Sequence, residues 1–157
     1  MTQRRYLDLK SDVPVEGLVR PNPLVTRVGF VDLGSNSSRL TIVEFDARGR
    51  VTVLDRVKSM VRLGEGAFAT KQLQPQAMQR AMQCLDEFVK ICDSFGVREI
   101  VAVGTAALRV AQNSQEFVQT VKKQTGMNVN VISGEEEARL IRVGIWDAFP
   151  KTKEAFL

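Results

Sequence analysis

A chain of 157 residues, 44% hydrophobic and 25% charged, has the length and composition of one globular domain or of one lobe in a larger protein. Its net charge of +4 favours anionic ligands, yet the chain lacks both the concentrated basic run of a nucleic-acid arm and any apolar run able to span a bilayer. It has no histidine, which excludes Ser-His and Cys-His nucleophile schemes and most zinc sites, so any chemistry must run on carboxylates, hydroxyls, Arg, Lys and backbone N–H groups.

Residues 1–26 are polar, carry Pro14, Pro21 and Pro23 without a sustained period, and are expected to form a flexible or strap-like N-terminal segment. Strands are predicted at Val28 to Leu33 and Ser37 to Phe45, around a tight Gly-Ser-Asn-Ser turn. Gly34 and Asn36 tolerate positive φ, so the chain is expected to reverse there and aim several N–H groups into a concavity suited to phosphate. Asp32 is a carboxylate in an otherwise apolar strand, which is costly to bury unless paired, hydrogen-bonded or bound to metal. A site beside the turn explains it; so does an ordinary hairpin in which Asp32 caps its own turn.

After a turn at Asp46 to Gly49, alternation from Arg50 to Leu63 predicts a third strand and thus an antiparallel meander, followed by a loop from Gly64. Pro75 then opens the clearest helix, with Met78, Ala81, Met82, Leu85, Phe88, Val89 and Cys92 at helical spacing until Gly96. Its Met and Phe stripe reads as core. Cys84 and Cys92 are eight apart on this helix, roughly 12 Å between Cα atoms and beyond disulfide reach; reduced thiols fit a cytoplasmic protein.

Glu99 to Val103 is a predicted strand ending at Gly104-Thr105, followed by a helical segment from Ala106 to Val110. Asn113-Ser114 is expected to cap a helix from Gln115 to Gln124, closed by Gly126. A strand from Val129 to Ser133 leads to a last helix opening at Gly134, with Ala138, Leu140, Ile141, Gly144, Ile145 and Ala148 inward and Pro150 at its end. The order β-β-β-α-β-α-β-α predicts an α/β fold: an antiparallel meander followed by parallel strands with right-handed crossovers, the pattern of a ribonuclease H-like or actin-like lobe. Three polar junctions follow strands, at 34–37, at Gly104-Thr105 with Arg109, and at Ser133 to Glu137, and should share the carboxyl edge of the sheet.

Arg109 could clamp a phosphate in bidentate fashion, or be a surface arginine paired with a carboxylate. Glu135, Glu136 and Glu137 suit the positive end of a helix dipole, but they point about 100° apart, so one can face the crevice and act as a general base. Arg139 and Arg142 are placed to pair with this acidic run along the helix.

Together, Val31-Asp-Leu-Gly-Ser-Asn-Ser37, Val103-Gly-Thr-Ala-Ala-Leu-Arg109 with Asn113, and Ile132-Ser-Gly-Glu-Glu-Glu-Ala-Arg-Leu140 resemble the exopolyphosphatase and guanosine pentaphosphate phosphohydrolase family of the actin-like superfamily. The resemblance covers about Val28 to Pro150 and implies a phosphoanhydride hydrolase acting on inorganic polyphosphate or guanosine pentaphosphate. It implies that Glu137 activates water, that Arg109 and Gly34, Ser35, Asn36 and Ser37 bind phosphate, and that Asp32 lies near the Mg²⁺ position. Val110 and Glu135 depart from the family's usual residues. The resemblance also implies a second actin-like lobe with another phosphate loop, so that residues 27–150 form the N-terminal lobe, 151–157 begin a linker, and this chain alone is expected to be inactive. A homodimer is left open, and membrane and nucleic-acid partners are not expected. The rival readings are an ATP-dependent kinase of the same superfamily and a non-catalytic lobe that binds polyphosphate or nucleotide.

Overall fold

Alternating burial along three successive segments builds one half of a mixed sheet in the computed structural model, which describes residues 5–6 and 26–148. After a two-residue strand β1 (Arg5–Tyr6), β2 (Thr26–Leu33), β3 (Ser38–Phe45) and β4 (Val51–Ser59) form the expected antiparallel meander. The β3–β4 turn is fixed by Asp46, whose Oδ1 accepts from the backbone N–H groups of Arg48 and Arg50, while Gly49 takes φ 75°. A one-turn helix α1 (Ala67–Thr70) and a long helix α2 (Pro75–Ser94) then lead to β5 (Glu99–Gly104), which lies parallel to β2. Helices α3 (Ala106–Val110) and α4 (Ser114–Thr125) carry the chain to β6 (Val129–Val131), parallel to β5, and α5 (Gly134–Ala148) follows.

The sheet order is β4-β3-β2-β5, with β1 and β6 sharing the far side of β5, β1 against Glu99–Ile100 and β6 against Ala102–Gly104. This is the α/β architecture expected from the sequence. One face of the sheet supplies Val31, Leu33, Leu40 and Ile42 to a core closed by Leu85 and Phe88 of α2 and Val121 of α4. Cys84 and Cys92 are both buried in that core, and no disulfide joins them.

Four local expectations are corrected. Strand β4 ends at Ser59 rather than Leu63, because its partner β3 begins at Ser38, and the chain beyond turns over the hairpin end through Arg62 at φ 49°. The loop from Gly64 contains the one-turn helix α1, seated by buried Ala67 and too short to show a period. Asn113 stands at the N-cap position of α4 without capping it; its Oδ1 accepts from the N–H of Leu73 (2.8 Å) and its Nδ2 donates to the Leu73 carbonyl (3.1 Å). Finally, the apolar residues of α5 do not pack inward: Leu140, Ile141 and Val143 are 38%, 57% and 46% exposed, since no other described element packs extensively on this helix. The side chains at 144–148, the stop at Pro150, the linker at 151–157 and most of the N-terminal segment lie outside the described residues. Among the described residues no helix is long and apolar enough to cross a membrane.

Candidate phosphate-binding and catalytic site

The three polar junctions meet at one edge because consecutive strands in this sheet hand their last hydrogen bonds to one another. The N–H of Thr105, just past β5, donates to the Leu33 carbonyl at the end of β2 (3.4 Å), and the N–H of Ile132, past β6, donates to the Gly104 carbonyl (3.1 Å). The turn after β2 is then tied down from two sides. Ser35 Oγ accepts from the N–H of Ala107 at the start of α3 (3.1 Å). From the other side, Gly64 donates its N–H to the Ser35 carbonyl (2.8 Å) and Arg62 to the Asn36 carbonyl (2.9 Å). The 62–64 segment is therefore a buttress of the turn, which sequence reasoning read only as the end of a strand and a loop.

The turn does not use positive φ at Gly34 or Asn36; the described glycines that do are 49, 66, 96 and 126. Gly34 is needed for space instead. A Cβ there would lie 2.8 Å from the Ser37 carbonyl oxygen, closer than real Cβ atoms come, so the tight fold of 34–37 admits no side chain at its first residue. Gly104 is constrained likewise, a Cβ falling 3.2 Å from Val129 and onto the Leu108 side chain.

Arg109, on α3, and Glu137, in the first turn of α5, face each other across the junctions. Arg109 Nη1 donates to Glu137 Oε2 (2.9 Å) and to the Ile132 carbonyl (3.0 Å), with the two side chains 27% and 33% exposed. Both bonds use one nitrogen, so among the described residues the Nε and Nη2 groups of Arg109 have no protein acceptor and can take two oxygens of an anion. Arg109 is thus paired with a carboxylate while keeping two donors that no described residue occupies. Ser133 caps α5 by accepting the Glu136 N–H at its Oγ (3.1 Å). Glu136 turns away and pairs with Arg139, which holds its carboxyl below the ordinary range through that hydrogen bond. Of the two arginines placed to pair along the helix, Arg139 does so and Arg142 has no acidic partner among the described residues.

Asp32 is half-buried in β2 beside this group. Burial pushes its carboxyl above the ordinary value; nearby Arg39 opposes the rise and the Glu137 carboxylate adds to it. Among the described residues no hydrogen bond reaches the Asp32 carboxylate, so it does not cap its own turn. The site thus joins a tight turn tied to α3 and to the 62–64 segment, a guanidinium with two donors unused among the described residues, and two mutually repelling carboxylates. Such a set can bind a phosphate chain, hold a cation and take a proton from water.

A family model described as the Ppx/GppA phosphatase family matches residues 41–157. A guanosine-5'-triphosphate,3'-diphosphate pyrophosphatase of Photobacterium profundum is 39% identical over 124 residues, 79% of this chain and 25% of that protein. The crystal structure of the Aquifex aeolicus member of the Ppx/GppA protein family superposes with a TM-score of 0.73 at 34% identity, covering 78% of this chain and 40% of the other. An exopolyphosphatase from Cytophaga hutchinsonii does so with a TM-score of 0.75 at 34% identity, covering 78% and 39%. The chain therefore spans about a quarter of the length of the curated relative it matches, and about two fifths of these two structures.

Proposed function

The chain belongs to the Ppx/GppA phosphatase family, and from that premise we propose that it is the N-terminal lobe of a phosphoanhydride hydrolase. In this reading the enzyme releases terminal phosphate from inorganic polyphosphate or guanosine pentaphosphate. The observation that carries the reading is the Arg109–Glu137 pair set against the 34–37 turn.

The turn at Gly34, Ser35, Asn36 and Ser37 offers N–H groups and hydroxyls to the phosphate chain, and the unused nitrogens of Arg109 clamp it. Glu137, held in place by Arg109, accepts a proton from water as that water attacks the terminal phosphorus atom. The P–O bond to the next phosphate breaks in the same step, and the shortened chain leaves with the electron pair. Positioning and charge neutralisation supply most of the acceleration, as is usual for phosphoryl transfer.

Asp32 suits a Mg²⁺ ion. Its carboxylate is half-buried, accepts no hydrogen bond among the described residues and is electrostatically coupled to a second carboxylate. Among those residues no cluster of three or more acidic, Cys or His side chains could hold an ion alone. Mg²⁺ is commonly bound by one or two carboxylates plus water and substrate oxygens, which is what Asp32 beside a phosphate turn would supply. When bound, the ion would neutralise charge on the phosphate oxygens.

A second lobe carrying its own phosphate loop would enclose the reaction, in keeping with the partial coverage of the relatives. The test is phosphate release by the two-lobed protein from polyphosphate and from guanosine pentaphosphate, with Mg²⁺. Release from either without a second acceptor is expected. Phosphate transfer to an added acceptor that requires ATP, with no release from either compound, would point to a kinase instead.

A further inference from the structure

The sheet face that carries Asp32 holds a second charged feature that the proposed hydrolysis leaves unused. Residues directly opposite each other across the strands share a face. Asp32 opposes Arg39 and Arg39 opposes Lys58, while one row further from the turn Thr41 opposes Arg56. The side chains of Arg39, Arg56 and Lys58 are exposed, and these residues line one open cleft of about 380 Å³ together with Leu40, Thr41 and Val57.

Two features mark this cleft as more than a solvated face. Arg39 and Lys58 are like charges placed directly opposite each other on adjacent strands, an arrangement that costs stability. Among the described residues Arg39, Arg56 and Lys58 also have no salt-bridge partner. The nearest acidic neighbour in sequence, Asp55, spends its Oδ1 on the backbone N–H of Arg56 (2.8 Å). Arg27, Arg50 and Arg80 pair with Glu44, Asp46 and Glu65, whereas the only carboxylate described as acting on Arg39 is Asp32, directly opposite it and without an ion-pair contact. The cluster is also continuous with the reaction site, because the row Lys58–Arg39–Asp32 crosses three strands at about 4.8 Å spacing and ends at Asp32, beside Glu137.

We propose that Arg39, Arg56 and Lys58 form an extension subsite that binds the phosphates of a polyphosphate chain lying beyond those held at the turn. The proposal rests on the reading of the turn as a phosphate site and adds a substrate preference: long, flexible inorganic chains over short phosphates. A linear polyanion reaching from the turn across β3 to β4 would neutralise the opposed cations, whereas a triphosphate held at the turn is too short to engage the whole row. Contacts of this exposed kind are electrostatic and weaken with salt.

The test titrates the full chain, at low and at moderate salt, with inorganic polyphosphate of about a hundred phosphates, with tripolyphosphate, and with duplex DNA. The Arg56→Gln/Lys58→Gln double variant is compared with Lys122→Gln/Lys123→Gln, which removes the same charge from exposed positions on α4. Circular dichroism checks that both are folded. The expected result is that the Arg56/Lys58 variant loses at least about tenfold more affinity for the long chain than for tripolyphosphate, with a shallower salt dependence, while the Lys122/Lys123 variant does not. Equal losses in the two double variants, or equal losses for long and short chains, would overturn the subsite. So would DNA binding that matches long polyphosphate and falls with the same residues, since that would make the face a general polyanion surface. Wild-type chain that binds neither phosphate compound would instead sink the reading of the turn, and the extension with it.

Discussion

Asp32 shows how one residue trades stability for a site. Its folded-state carboxyl holds a proton to higher pH than the unfolded chain does, so between the ordinary carboxylate value and the raised one the folded state binds more protons. Stability therefore falls as pH rises through that window, and the deficit persists at neutral pH. Asp32→Asn is expected to melt higher than wild type at pH 7, with the difference vanishing below the carboxylate range. Thermal melts across pH check this, and Mg²⁺ should raise the melting temperature of wild type more than that of the variant. Gly34→Ala should act in the opposite direction, because its Cβ would meet the Ser37 carbonyl at 2.8 Å; overpacking of this kind typically costs roughly 1–3 kcal/mol, read as a lower denaturant midpoint. At Arg109, alanine should weaken phosphate-chain binding more than it lowers the melting temperature, because two of its nitrogens are uncommitted among the described residues; a large stability loss with unchanged affinity would make the arginine structural.

The elements were legible in proportion to the length of their pattern. Helix α2 announced itself through a long apolar stripe behind Pro75, and the meander through alternation, so both stand where the sequence put them. The short pieces were not legible. One-turn α1 has no room for a period, and the departure of β4 at Ser59 is set by where its partner strand begins, which is a fact about β3. Asn113 misled for a different reason: its residue type fits a cap, but its amide fastens the backbone at Leu73 forty positions away. Asn113→Ala removes both bonds and leaves two part-buried backbone groups unsatisfied, so it should cost about 1–3 kcal/mol in chemical denaturation, more than Ser114→Ala beside it. Helix α5 had the right period and the wrong surroundings, since amphipathicity says that a face wants cover and nothing about which element supplies it.

At the scale of the whole molecule, the antiparallel meander and the parallel strands after it were legible in the alternation of elements, whereas the strand order, which brings the three junctions to one edge, is seen only in the folded sheet. The contents of that edge were readable in Asp32, the 34–37 turn, Arg109 and Glu137. What pattern alone could not supply was that the last two bond to each other, because side chains on α3 and α5 meet only once β5 and β6 are paired. The buttress at 62–64 and the basic row at Arg39 and Lys58 were equally hidden, being products of pairing rather than of local pattern. The central claim is that this edge is a hydrolytic site with Glu137 as its base. The most direct measurement is phosphate release from polyphosphate by the two-lobed protein and by its Glu137→Gln variant, alongside substrate affinity for both. Turnover should fall by roughly the hundred- to ten-thousand-fold expected for loss of a general base, with affinity nearly kept and Glu135→Gln mild. Wild-type turnover in Glu137→Gln would contradict the account.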